Sequence, residues 1–284
     1  MQQRPAPPHE RAVTITDRRT QAPRLTAGAY GSGLYRRRIR LVRLADHHTA
    51  GELEDDFHHF RIDLHHDGAT IGRARGTALR GPWTTCFDAS SVIRSIEGHP
   101  IDARSSSIGD HTPARHNCTH LFDLTGLAVA HAARSDEDER IYDFEVTDRA
   151  GNPVTNRATV WRNGELALDW QLENGEIVGP AAWAGAPLRR GFIQWAEEGF
   201  EPDLAEAAIA LRRVVDISMG RSGDLDRYDV ADEVMKVMGP VCHTFQPDVG
   251  IHARRNKGSA LVFSDLPAVL LSDMHLRDSA AQHG

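Results

Sequence analysis

A chain of 284 residues is long enough to bury a full core, and its 40% hydrophobic and 26% charged residues are ordinary for a globular protein. A formal charge of −7 argues against a nucleic-acid binder, and no apolar run reaches the roughly 20 residues that a membrane helix needs. Three cysteines are too few for a disulfide framework and the start of the chain carries no apolar signal core, so the sequence predicts a cytoplasmic protein.

Taken in chain order, residues 1–33 hold Pro5, Pro7, Pro8 and Pro23 and a Gly28–Gly33 cluster, and read as an extended arm ordered against a partner subunit, which would give a homodimer. A first strand is predicted from Tyr35 to Leu44. Its arginines, Arg36, Arg37, Arg38, Arg40 and Arg43, alternate with Ile39, Leu41 and Val42 and read as a solvated strand face. A second strand is predicted from Leu53 to Leu64, turning at His66-Asp67-Gly68, and a third from about Thr70 to Leu79, with glycines that suggest a bulge. After Gly81-Pro82 the pattern gives a helix capped by Asp88, striped by Val92, Ile93 and Ile96 and stopped at Gly98. A second helix carries Leu121, Leu124, Leu127 and Ala128 at helical spacing, and residues 34–140 form the first unit.

Residues 141–284 open with alternating strands through Tyr142, Phe144 and Val146, then Ala158 and Val160, then Leu166, Leu168, Trp170 and Leu172. Asn163-Gly164 and Asn174-Gly175 supply the turns. Two helices follow, one through Phe192 and Trp195 and a longer one capped by Asp203. From Val241 onward no element can be assigned. The expected fold is α+β, an antiparallel sheet with helices packed on it, the second half forming one compact unit with the first.

The chemistry-bearing residues gather in the first unit. On the second strand Phe60, Ile62 and Leu64 share a face by period two, and the same parity presents His58, Asp56 and Glu54. Buried charges need a partner or a metal; the alternative is that the strand leaves the core at Phe57 and these groups are solvated. Cys86 and Cys118 both fall at predicted helix starts, where the helix dipole favours a thiolate. Cysteine, histidine and carboxylate together suit zinc or iron. His120, two residues from Cys118, reaches a shared metal only if the helix starts at or after it. No phosphate-binding loop, dinucleotide fingerprint, nucleophile elbow or H-E-x-x-H helix is present.

Glu54-Asp55-Asp56-Phe57-His58-His59-Phe60, Ala78 to Cys86, and Asn117-Cys118-Thr119-His120-Leu121 resemble a bacterial family catalogued as domain of unknown function number 2889. More distantly, the order strand, Asp-Gly hairpin, strand, Cys, helix, Cys is similar to iron–sulfur scaffold proteins of the NifU/IscU type. That resemblance implies a metal site at Asp56, Cys86 and Cys118, with Glu54 where the scaffold has its first cysteine and Asn117 where it has a histidine. Iron–sulfur clusters generally want four ligands, mainly thiolates, so a single divalent ion, zinc or iron, held by Asp56, Cys86, Cys118 and His58 or His120 fits better. The expected function is Lewis-acid chemistry by a lyase, hydratase or hydrolase on a small carbonyl-containing substrate, with Glu54 or His58 as general base. A sulfur- or cluster-handling carrier and a purely structural metal are the alternatives, and Cys242-His243 is the next candidate site.

Overall fold

The computed structural model describes residues 22–26, 30–134 and 137–282. They form an α+β fold around one antiparallel sheet of eight strands, ordered β4-β3-β2-β1-β5-β6-β7-β8. The strands are β1 (Leu34–Ala45), β2 (His48–Asp55), β3 (His59–His66), β4 (Ile71–Arg80), β5 (Glu139–Thr147), β6 (Thr155–Arg162), β7 (Glu165–Glu173) and β8 (Glu176–Gly179). The helices are α1 (Thr85–Asp88), α2 (Thr119–Ala133), α3 (Phe192–Gly199), α4 (Pro202–Ser218), α5 (Ala231–Met238), α6 (Pro247–Gly250) and α7 (Met274–Gln282). Two four-stranded meanders meet where β1 pairs with β5, and the long connection from β4 to β5 carries α1 and α2.

The meander turns follow the sequence. Asn163-Gly164 and Asn174-Gly175 both have positive φ at both residues, the backbone that a two-residue hairpin demands and that Asn-Gly supplies at least cost. The bulge predicted for the third strand is found where Gly72 has no partner on β3, between His65 and His66.

Other expectations are corrected. The predicted strand Leu53–Leu64 is two strands, β2 and β3, folded back on each other at residues 56–58. The cause is the Asp55 carboxylate, whose Oδ1 accepts from both Phe57 N and His58 N at 2.7 Å while Asp55 N donates to His58 O. Parity therefore cannot be carried from Phe60 back through Asp56. The helix expected after Pro82 is a single α-turn, α1, followed by 3-10 helix from Ala89 to Ile96, and Asp88 makes no capping bond. The longer helix of the second half starts with Glu201 as cap and Pro202 in its first turn rather than at Asp203.

The arginine-rich β1 does not lie on a solvated face. Arg37 points into the core and is buried. Arg36, Arg38 and Arg40, on the other face, pair across to Glu145, Asp143 and Glu139 of β5. One face of the first meander is covered by α2, through Leu121, Leu124 and Ala128, and that of the second by α4, through Ala207, Leu211 and Val215. The opposite face of β2 and β3 is covered by the segment after Ser259. Leu261 N donates to Asp56 O, Leu271 N to Glu54 Oε2, and α7 brings Arg277 to Glu52 and Asp278 to Arg61. Residues 1–21 and 27–29 of the expected arm lie outside the described residues. Its described piece packs within its own chain, with Arg24 bridged to Leu261 and Leu25 N bonded to Ala260 O. Among the described residues no helix is long and apolar enough to cross a membrane.

Candidate metal centre

The folding-back of β2 onto β3 places Asp55 and His58 side by side at the turn of the hairpin. His58 Nδ1 lies 3.1 Å from Asp55 Oδ1, and both residues are buried. The start of α2 supplies the third group. The helix begins at Thr119, one residue before His120 rather than at or after it as expected; Cys118 is the N-cap residue with extended φ and ψ, outside the helix, so the 200° separation of a regular helix still does not apply between Cys118 and His120. The His120 ring stacks on that of His58 with centroids 3.6 Å apart and planes at 25°. One ligand atom from each of Asp55, His58 and His120 lies within 4.8 Å of the others, so the three form a group that can hold a metal ion.

The electrostatics favour that use. Burial, and for His120 also the neighbouring His58, holds both imidazoles below their ordinary value, so both are neutral at pH 7, the form that binds metals. Burial alone would raise Asp55, but His58 and Arg37 beside it hold its carboxyl well below the usual range, and it is ionised. Arg37 donates to Asp55 Oδ2 from Nε at 3.0 Å and from Nη2 at 2.7 Å. His120 Nε2 is buried without a hydrogen-bond partner, an unmet polar demand that one bound ion or water would answer.

The residues singled out in the sequence are distributed as follows. His58 and His120 are in the cluster, and Cys118 Sγ is at its edge, 3.9 Å from His120 Nδ1. Asp56 turns away from it. Its Oδ2 accepts from Arg221 Nη1 at 2.6 Å, and Arg221 also binds Asp148, so Asp56 belongs to a buried ion triad. Burial pushes the Asp56 carboxyl up to about 7 in spite of Arg221. Glu54 lies on the opposite face of β2 from Asp55, held by Arg80 and Leu271 N.

Cys86 packs under Gly81, with Thr244 Oγ1 3.8 Å from its sulfur. Burial pushes the Cys86 thiol up to about 12, and burial with the nearby Cys86 and Cys242 pushes Cys118 well above its ordinary value. The expected thiolate-favouring effect of the helix starts is therefore outweighed by desolvation in the metal-free protein; α1, with four residues, has little dipole to offer. Cys242 and His243 flank this region, His243 N donating to Asn117 O.

Asp55 and Arg37 are the members that sequence reasoning missed. The available signal was an Asp three residues before His58 at the end of an alternating strand, the pattern of a side chain that caps its own turn. No protein-family model matches the chain, and no curated protein matches it.

Proposed function

We propose that the protein is a metal-dependent enzyme, in which a single divalent ion, zinc or iron, at the Asp55–His58–His120 cluster acts as a Lewis acid on a small carbonyl-containing substrate. The observation that carries this reading is the pair of neutral, buried imidazoles stacked 3.6 Å apart beside an ionised carboxylate. Bound there, the ion would polarise a carbonyl or activate water, which suits hydration, elimination, carbon–carbon cleavage or hydrolysis.

The charge balance supports the reading. A site of two thiolates and a carboxylate would leave a divalent ion in negative surroundings. Two neutral imidazoles, with the Asp55 charge offset by Arg37, leave its positive charge largely uncancelled and its Lewis acidity higher. The enclosure of His58 and His120, each 7% exposed, favours a small substrate and strengthens every charge interaction inside.

Elemental analysis of the purified chain tests the first half of the proposal. About one zinc or iron per chain is expected, lost in His58→Ala and His120→Ala while the far-ultraviolet circular dichroism stays native. Full metal content in both variants would overturn the site. Chelation tests the second half. A still-folded protein that loses turnover of a carbonyl substrate, and regains it when the ion is restored, supports an enzyme; unfolding on chelation would mark the ion as structural.

A further inference from the structure

Arginines on the first strands of the sheet are matched to acids: Arg36 to Glu145, Arg38 to Asp143 and Arg61 to Asp63. The edge strand β4 breaks the pattern. Arg75 stands directly opposite Asp63 on β3, the position from which a cross-strand ion pair forms. That carboxylate is already taken. Arg61 donates to it from Nε and from Nη2, both at 2.9 Å, and His48 Nε2 lies 3.2 Å from its Oδ1. Arg73, on the same face of β4, is opposite His65 rather than an acid. Both arginines are exposed, and neither has an ion pair or a side-chain hydrogen bond among the described residues.

These unmatched charges border a hollow. Arg73 and Arg75 line it from β4, and Ser90, Ser91 and Arg94 line it from the 3-10 helix Ala89–Ile96, around an open volume of about 270 Å³. No acidic side chain among the described residues lines it. Glu97, at the end of that helix, is turned to the strand: its Oε1 accepts from Ala74 N at 3.2 Å and lies 3.4 Å from Arg94 Nε. It offsets at most one of the three charges. Three like charges around one space repel one another, and a bound anion relieves that repulsion.

The number of arginines indicates the kind of anion. A carboxylate has one charge and two oxygens, which a single guanidinium fork satisfies. A phosphate monoester carries about −1.5 to −2 at pH 7 and three acceptor oxygens, enough for three guanidinium groups. The Ser90 and Ser91 hydroxyls donate to Phe87 O and Asp88 O, each at 2.8 Å, and can rotate to serve a ligand.

The geometry points to this hollow as a binding site for a small phosphate-bearing ligand, free phosphate or a phosphate monoester, held by Arg73, Arg75 and Arg94. None of these residues belongs to the Asp55–His58–His120 group, so the site goes beyond the proposed metal chemistry and does not depend on it.

Calorimetric titration of the full chain in about 0.15 M sodium chloride, which screens unspecific attraction beyond about 8 Å, tests the site. Phenyl phosphate and inorganic phosphate are the ligands used, and benzoate is the comparator. One saturable phosphate site per chain is expected, with benzoate at least about tenfold weaker. Arg73→Gln combined with Arg75→Gln should weaken phosphate binding at least about tenfold, the worth of one hydrogen bond to a charged group. Phenyl phosphate bound more tightly than inorganic phosphate identifies an organic phosphate as the ligand, and the reverse order identifies the free ion. No saturable binding, benzoate as tight as phenyl phosphate, or full binding in the double arginine variant overturns the site. Binding lost in a folded His58→Ala protein would place the anion on the metal centre and likewise overturns it.

Should the double arginine variant fail to fold, nitrogen-15 spectra of the arginine Nε–H groups in the unaltered chain decide. Phosphate should move the resonances of Arg73, Arg75 and Arg94, and resonances that stay in place overturn the assignment.

Discussion

Arg37 of β1 grips the Asp55 carboxylate of β2 from the directly paired position on the neighbouring strand, with Nη2 2.7 Å from Oδ2 and both side chains buried. Removing one partner of a buried pair strands the other, at a cost of about 3–5 kcal/mol. Arg37→Met is therefore expected to lower the unfolding free energy in urea by that order. Arg37→Met combined with Asp55→Asn should recover part of the loss, because no uncompensated charge then remains. A double variant no better than the single one would show that packing, not charge, dominates at this position.

Asp56 and Asp55 are neighbours in sequence with different expected phenotypes. Asp56 faces Arg221 and Phe263 N rather than the histidines. Asp56→Asn is expected to leave metal content unchanged. Arg221→Met, which leaves Asp56 and Asp148 buried together without their shared cation, should destabilise the fold by about 3–5 kcal/mol. Loss of metal in a folded Asp56→Asn protein would refute this separation.

Acid should weaken the fold through its buried histidines. Burial holds His131 down to about 4, with Arg140 adding to it, and His58 and His120 are also held below their ordinary value. Between pH 6.5 and 4 the unfolded chain binds the His131 proton and the folded chain does not, and His58 and His120 act in the same sense below 6.5, so this stability is full above pH 6.5 and is lost as pH falls. For His131 the shift from 6.5 to about 4 corresponds to at most about 3 kcal/mol. Asp56, raised to about 7, acts in the opposite sense, losing stability as pH rises from about 4 to 7, and so offsets part of the slope. Thermal melting across this range should show Tm falling with pH, less steeply in His131→Gln. An unchanged slope in that variant would remove His131 from the account.

Gly126 sits inside α2, where alanine would ordinarily gain about 1 kcal/mol in helix propensity. A Cβ there would meet the backbone oxygen of Ser105 at 2.2 Å. Backbone cannot swing aside as a side chain can, so Gly126→Ala is expected to cost roughly 1–3 kcal/mol net. Chemical denaturation measures it, and a neutral or stabilising effect would show that the 105–110 segment moves freely.

The parts of the fold that were legible are those that local chemistry decides. Asn163-Gly164 and Asn174-Gly175 dictated their turns through positive φ, and the alternation of Tyr142, Phe144 and Val146 gave the face of β5. The candidate site was half legible. His58 and His120 could be suspected from residue type, but the parity argument ran straight through a turn made by the Asp55 side chain, and so favoured Asp56 over Asp55. The covering of Glu54 was not legible at all. Leu261 and Leu271 reach the hairpin with main-chain amides, which every residue but proline has, so no side-chain pattern announces them.

That last covering has a consequence in time. The hairpin at residues 55–58 is complete early in synthesis, yet the amides that cap it belong to residues about two hundred positions later, at Leu261 and Leu271. At translation rates of roughly 5–20 residues per second, tens of seconds at the slow end separate the emergence of the two. During that interval Glu52, Glu54 and His59 of the nascent chain stand open to solvent, and the strand that carries Asp55 lacks the layer that dries its rear face. Covering of that face is thus deferred until the distal segment has left the ribosome and docked, which orders the steps of folding: sheet first, cover second.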